Sequence, residues 1–293
     1  MARVVVVHGI GQEFLGPELM CHQVGPALRD GVRLAGGPDL TATDVACAFY
    51  GDLFFPPGVR SRHLPPWDEH DVDEWEADLL DAWWSAAIAV DPGVDDPAGS
   101  RGALGFVASR ALLSRIVRAK LDALGGSRFF GSVSDRLMIF ALKQVRRYLT
   151  DTALREAVRT RVTAAIGPDT RVLVAHSLGS VVAYETLCAE RNSPVSDLVT
   201  LGSPLGLRSL VFDRLDPAPV GEKGVWPGDL RRWTNVADRG DIVALPNGLA
   251  DRFPGVRDET ITNGVRMHDL LRYLTAPTTG GAIARGIRNG EEA

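Results

Sequence analysis

The sequence predicts an α/β fold with a mostly parallel sheet flanked by helices, and three stretches predict it. Arg3–Val7 is a β-branched run without alternation, the pattern of a strand buried on both faces. A helical pattern at 17–34 and a second strand near Asp44–Tyr50 complete a βαβ unit with a right-handed crossover. Further on, the apolar run Val172–Ala175 stops at His176-Ser177, and a helical pattern starts at Leu178, with Val181, Val182 and Leu187 on its buried face.

The elements follow in order. After the second strand, Phe55-Pro56-Pro57 and Leu64-Pro65-Pro66 bracket a turn-rich stretch. An acidic segment, Asp71–Val90, carries Trp75, Trp83 and Trp84. The carboxylates Asp68, Glu69, Asp71, Asp73, Glu74 and Glu76, just before and at its start, read as a solvated face, and its aromatics as packing groups or as the wall of an apolar pocket. A Pro/Gly-rich loop at 91–102 leads to helical patterns at 103–124 and 134–149. Strand and helix alternation resumes at 151–166, where Thr150 or Asp151 caps the helix and Gly167-Pro168 ends it. Strands at 171–175, Asp197–Leu201 and 232–237 follow, with a helix at 178–190. Thr275–Ala293, rich in Gly, Thr and Arg, reads as a loosely held tail with room for a short helix at 281–288. The domain reading is a core of residues 1–54 and 131–293, with a helical cap or lid inserted at 55–130.

Composition narrows the classes. A hydrophobic content of 45% and a charged content of 24% are those of an ordinary globular chain. The net charge of −5 speaks against nucleic acid as a partner. Only Lys120, Lys143 and Lys223 interrupt an otherwise arginine-based cationic set, which points to a GC-rich bacterial genome. Cys21, Cys47 and Cys188 have neither disulfide-framework nor metal-ligand spacing. With no leader-like segment and no long apolar run, the expectation is a cytoplasmic protein that does not insert in membranes and needs no cofactor.

The chemistry is concentrated at Ser177. Small residues stand two places before it and two after, Ala175 and Gly179, as a sharp strand-to-helix turn requires. That arrangement lifts a serine hydroxyl clear of the sheet as a nucleophile. Such a serine needs a base and an orienting acid. Of six histidines only His268 follows Ser177, in Val265-Arg266-Met267-His268-Asp269-Leu270-Leu271. Asp238 and Asp241 both follow the carboxyl end of strand 232–237. Asp241 is favoured because Ile242-Val243-Ala244 anchors the backbone beside it, whereas Asp238 suits a turn. Donors for an oxyanion are expected from the amide of Leu178, directly after the nucleophile, and from Ile10 in the glycine-containing turn His8-Gly9-Ile10-Gly11. The strand end Gly202-Ser203-Pro204 reads as a pocket wall. Ser203 is not a rival nucleophile, since Pro204 denies it the strand-to-helix turn.

Together, Val6–Gly11, Val174–Gly179, Thr200–Pro204, Gly240–Val243 and His268 resemble the α/β-hydrolase superfamily. The resemblance is to minimal bacterial lipases, which share the alanine at the first elbow position, and to esterases related to GPI-inositol deacylases. It covers roughly 1–50 and 150–275 and leaves the insertion without a counterpart. It implies a Ser177, Asp241, His268 triad with Ile10 and Leu178 as oxyanion donors. The expected activity is serine hydrolysis of a hydrophobic acyl ester or thioester, with a small hydrophobic acyl compound as partner. Transfer of the acyl group to another acceptor (an acyltransferase or cyclase) and a non-catalytic binding protein on the same fold are the alternatives.

Overall fold

The computed structural model describes residues 2–55, 64–95, 109–129 and 133–289. The chain divides into two compact units, Met1–Pro56 with Asp151–Ala293, and Pro57–Thr150.

The first unit is built on a six-stranded, all-parallel sheet consistent with an α/β-hydrolase-like fold. Its strands are β1 (Val4–Val7), β2 (Val45–Ala48), β3 (Val172–His176), β4 (Asp197–Leu201), β5 (Arg232–Asp238) and β6 (Arg257–Ile261), in the order β2-β1-β3-β4-β5-β6. All four valines of β1 are fully buried, which fits its central place and its unbroken β-branched run. Helices α1 (Pro17–Leu34), α7 (Leu270–Thr275) and α8 (Pro277–Asn289) share one apolar layer with Val4, Val6, Val172 and Val174. Helices α5 (Thr152–Ala165) and α6 (Leu178–Ala189) pack against each other.

The strand order reverses at one point in the sheet. The chain steps from β1 to β2 on one side and continues from β3 to β6 on the other. Between β1 and β3 the order reverses, and open α/β sheets bind ligands in the crevice outside the carboxyl ends at such a point. His8-Gly9-Ile10 leaves β1 there, and Ser177 leaves β3 beside it.

Two elements differ from the sequence reading. Within the stretch read as a loose tail, Pro277–Asn289 forms α8, longer than the short helix allowed for at 281–288, and its Ala282, Ile283, Ala284 and Ile287 are buried in the core. A β-carbon added at Gly280 would lie 1.9 Å from the Gly31 carbonyl oxygen, so the glycines let α8 seat directly on α1. Strand β6 was not expected. Its Arg257 and Asp258 are exposed at the sheet edge, and a polar sequence suits a strand that pairs on one side only.

The second unit contains α2 (Glu74–Val90), α3 (Arg110–Gly125) and α4 (Asp135–Thr150). It runs to Thr150, twenty residues past the expected boundary at 130, because α4 packs on α2 and α3. Its acidic segment is not simply a solvated face. Glu76 is buried and receives Lys143 Nζ at 3.1 Å. Asp73 caps α2 through the Glu76 amide at 2.9 Å, and Asp68 caps a short turn ahead of it. Trp83 and Trp84 are core side chains, and buried Lys120 pairs with Asp81 while standing 5.1 Å over the Trp84 ring. Parts of the expected turn-rich stretch, of the 91–102 loop and of the 103–124 helix lie outside the described residues.

Candidate active site

Ser177 sits at the junction of β3 and α6 with φ 53° and ψ −129°. Among the described residues it is the sole non-glycine with positive φ. Such a conformation costs on the order of 1–3 kcal/mol and persists only where its surroundings enforce it. Here the enforcement is visible. The Ser177 amide is tied to the Leu201 carbonyl at 3.0 Å, and Ser180 Oγ donates to the Ala175 carbonyl at 3.1 Å across the turn. A β-carbon at Gly179 would stand 2.3 Å from the His8 carbonyl oxygen, and one at Gly9 would stand 2.6 Å from Ser177 Cβ. Gly9 and Gly179 are thus required by the close approach of the turn after β1 to Ser177 and to the first turn of α6.

The turn after β1 is held on both sides of Ile10. The Tyr50 amide donates to His8 Nε2 at 3.1 Å, so the ring proton is on Nδ1, which donates to the Gly9 carbonyl at 2.7 Å. A trans peptide points its C=O and N–H in opposite directions, so fixing the Gly9 carbonyl also fixes the direction of the Ile10 N–H. On the other side, the Gly11 amide donates to Glu13 Oε2 at 2.7 Å. His8 is buried against Tyr50, with ring centroids 4.0 Å apart. Burial pushes its pKa down to about 4, so the ring is neutral at pH 7. Leu178 is the first residue of α6, where backbone N–H groups lack intrahelical partners and favour negative charge.

Asp241 and His268 are brought together: Oδ2 lies 2.7 Å from Nδ1. The Asp241 carboxylate has no exposed side-chain surface, and the His268 side chain is 21% exposed. Oδ1 accepts the amides of Val243 at 3.0 Å and Ala244 at 3.3 Å, so the apolar segment that follows holds it, as its sequence suggests. Asp238 is engaged differently. Its Oδ1 accepts the Gly240 amide at 2.7 Å and its Oδ2 the Asn263 amide, which makes it a turn former. Ser203 is buried, with its Oγ accepting the Leu205 amide at 3.3 Å.

Three contributors escape simple motif reading. Gly202, with φ 54°, lies where a β-carbon would come within 2.7 Å of Asp241 Oδ2 and 3.0 Å of His268 Nδ1. His176, next to Ser177, packs its ring 4.5 Å from that of His268. Its burial, reinforced by His268, drives its pKa well below the ordinary histidine value, so it stays neutral. Tyr273 on α7 donates its hydroxyl to Asp241 Oδ2 at 2.7 Å. A buried tyrosine needs a partner for its hydroxyl, and that need is the sequence signal that could have found it.

Among the described residues, no group of three or more His, Cys, Asp or Glu is arranged to hold a metal ion, and no helix is long and apolar enough to cross a membrane. A scan against models of known protein families finds no match, and a search of curated proteins finds none either.

Proposed function

We propose that the protein is a serine hydrolase of the α/β-hydrolase type that cleaves an ester or thioester of a hydrophobic acyl group. The observation that carries this reading is the backbone of Ser177. A strained positive-φ serine stands between strand and helix at the strand-order reversal, and the residue before it, His176, packs on the ring of His268, which is paired with Asp241.

In this reading Ser177 Oγ attacks the carbonyl carbon while His268 Nε2 accepts the hydroxyl proton. Asp241, bonded to Nδ1, stabilises the imidazolium without taking the proton itself. The oxyanion receives the amides of Leu178 and Ile10, the second aimed by the His8 clamp. Collapse expels the alcohol or thiol, which takes its proton from His268, and leaves an acyl-Ser177. Water, deprotonated by His268, then releases the acid and restores the serine.

A fluorophosphonate probe followed by peptide mapping tests the assignment, beside a series of p-nitrophenyl esters of increasing chain length. The expected result is one adduct, on Ser177, lost in Ser177→Ala together with ester hydrolysis. Folded protein that takes no adduct, or a Ser177→Ala variant with full esterase activity, would overturn the proposal.

A further inference from the structure

Tyr273 stands in a chain of hydrogen bonds that runs across the site. The Asp238 amide donates to Tyr273 Oη at 2.8 Å. With that approach occupied by a donor, the hydroxyl proton is directed to Asp241 Oδ2, 2.7 Å away. The same oxygen faces His268 Nδ1 at 2.7 Å. One carboxylate oxygen therefore serves two donors, a phenol and an imidazole. Tyr273 is fully buried, and burial together with the Asp241 charge raises its pKa, which keeps the phenol protonated as a donor.

We propose that Tyr273 is a positioning residue of the Asp241–His268 pair: it fixes the plane of the carboxylate and takes up part of the charge on the oxygen that faces the imidazole. The role rests on the hydrolase reading above, and deepens it by assigning how the strength of the base is set.

The other groups around His268 leave this role to Tyr273. From β3, His176 presents a neutral ring, with His8 at the end of β1 within electrostatic reach of it. From β4, Gly202 presents no side chain. At the end of β5, Asp238 is committed to two backbone amides. On the histidine's own loop, Arg266 and Asp269 pair with each other at 3.6 Å, and Asp269 also caps α7 through the Arg272 amide. Tyr273 is the neighbour with a proton aimed at Oδ2.

The sign of the effect follows. Removing the phenol leaves more of the carboxylate charge for the imidazolium, so His268 holds its proton to higher pH. A more acidic phenol does the reverse. Two variants, Tyr273→Phe and site-specific replacement of Tyr273 by 3-fluorotyrosine, are compared with the native protein. The titration of the His268 ring is followed by NMR, alongside the acidic limb of kcat/KM for a p-nitrophenyl ester and the melting temperature. Tyr273→Phe is expected to move both the ring titration and the limb upward by about half a pH unit, a threefold change in proton affinity. The fluorinated tyrosine is expected to move both downward. A fall in kcat of about three- to tenfold in Tyr273→Phe, with KM unchanged, accompanies the shift.

Ring titrations that stay in place in both variants, or move the same way in both, would overturn the proposal. Ring titrations that move as expected in both variants, with a native protein that neither hydrolyses esters nor takes the fluorophosphonate label, would instead overturn the hydrolase reading alone.

Discussion

Asp241 and Asp238 lie three residues apart on one turn, yet only Asp241 faces His268, at 2.7 Å, while Asp238 spends its oxygens on the amides of Gly240 and Asn263. The two carboxylates are therefore separable by experiment. Asp241→Asn leaves the imidazolium uncompensated and is expected to lower kcat for ester hydrolysis by about 10³–10⁴-fold; its amide also cannot accept from all four donors around it, so stability falls too, by about 1–3 kcal/mol. Asp238→Asn is expected to keep kcat within tenfold and to lose about 1–3 kcal/mol of stability through its weakened turn. Paired kinetics and denaturant unfolding of the two variants check both halves.

His8 gives stability a definite pH dependence. Its folded pKa, about 4, is below the unfolded value near 6.5, so between these values the unfolded chain binds more protons. Its contribution is thus fully present above pH 6.5 and is lost as pH falls toward 4, by up to about 3 kcal/mol. His176 acts in the same direction. His8→Gln can still accept the Tyr50 amide but cannot titrate, so urea midpoints between pH 4 and 7 should slope less than in the native protein. The same variant lacks the ring donor to Gly9, and kcat should fall by about tenfold through a less fixed Ile10 amide.

Gly202→Ala places a methyl group in the space of Asp241 Oδ2 and also forces alanine to φ 54°. The Asp241–His268 bond should lengthen, with kcat reduced by about 10²-fold, since a displacement of roughly 1 Å in a reacting group costs that much. Melting temperature and kcat measured together show whether the loss is local.

The buried Lys143–Glu76 pair makes a prediction for the second unit. Lys143→Ala strands a carboxylate that is 2% exposed, at a cost of about 3–5 kcal/mol. The double variant with Glu76→Leu should recover most of it. Thermal melts of the native protein, Lys143→Ala, Glu76→Leu and the double variant read the cycle.

The features legible in the sequence are those whose steric or chemical demands are local. The Ser177 turn calls for small residues at Ala175 and Gly179, and an apolar strand and helix frame it; chain order then leaves His268 as the one histidine downstream of it. Features set by tertiary contact were hidden. Glycine in residues 275–293 suggests a loose tail, yet Gly280 is there so that α8 can touch α1. Strand β6 lacks an apolar stripe because its exposed side chains line the sheet edge. Glu76 carries the same charge as its exposed neighbours, and only the return of Lys143 from α4 shows that it is buried. Tyr273 reads as one more apolar-face residue until its hydroxyl is seen between Asp238 and Asp241.

The strand order also sets a timetable for synthesis. β1 leaves the ribosome with four valines that end fully buried, and of its two sheet neighbours only β2 follows promptly. β3, which covers its other edge and carries Ser177, is made only after the whole of Pro57–Thr150. Until then the centre of the sheet is an unpaired, sticky edge of the kind that nascent-chain chaperones shield. The second unit, made without interruption, has no such wait. Demand for chaperones during expression should therefore track the time taken to translate this stretch, and slowing its codons should raise the yield of aggregate.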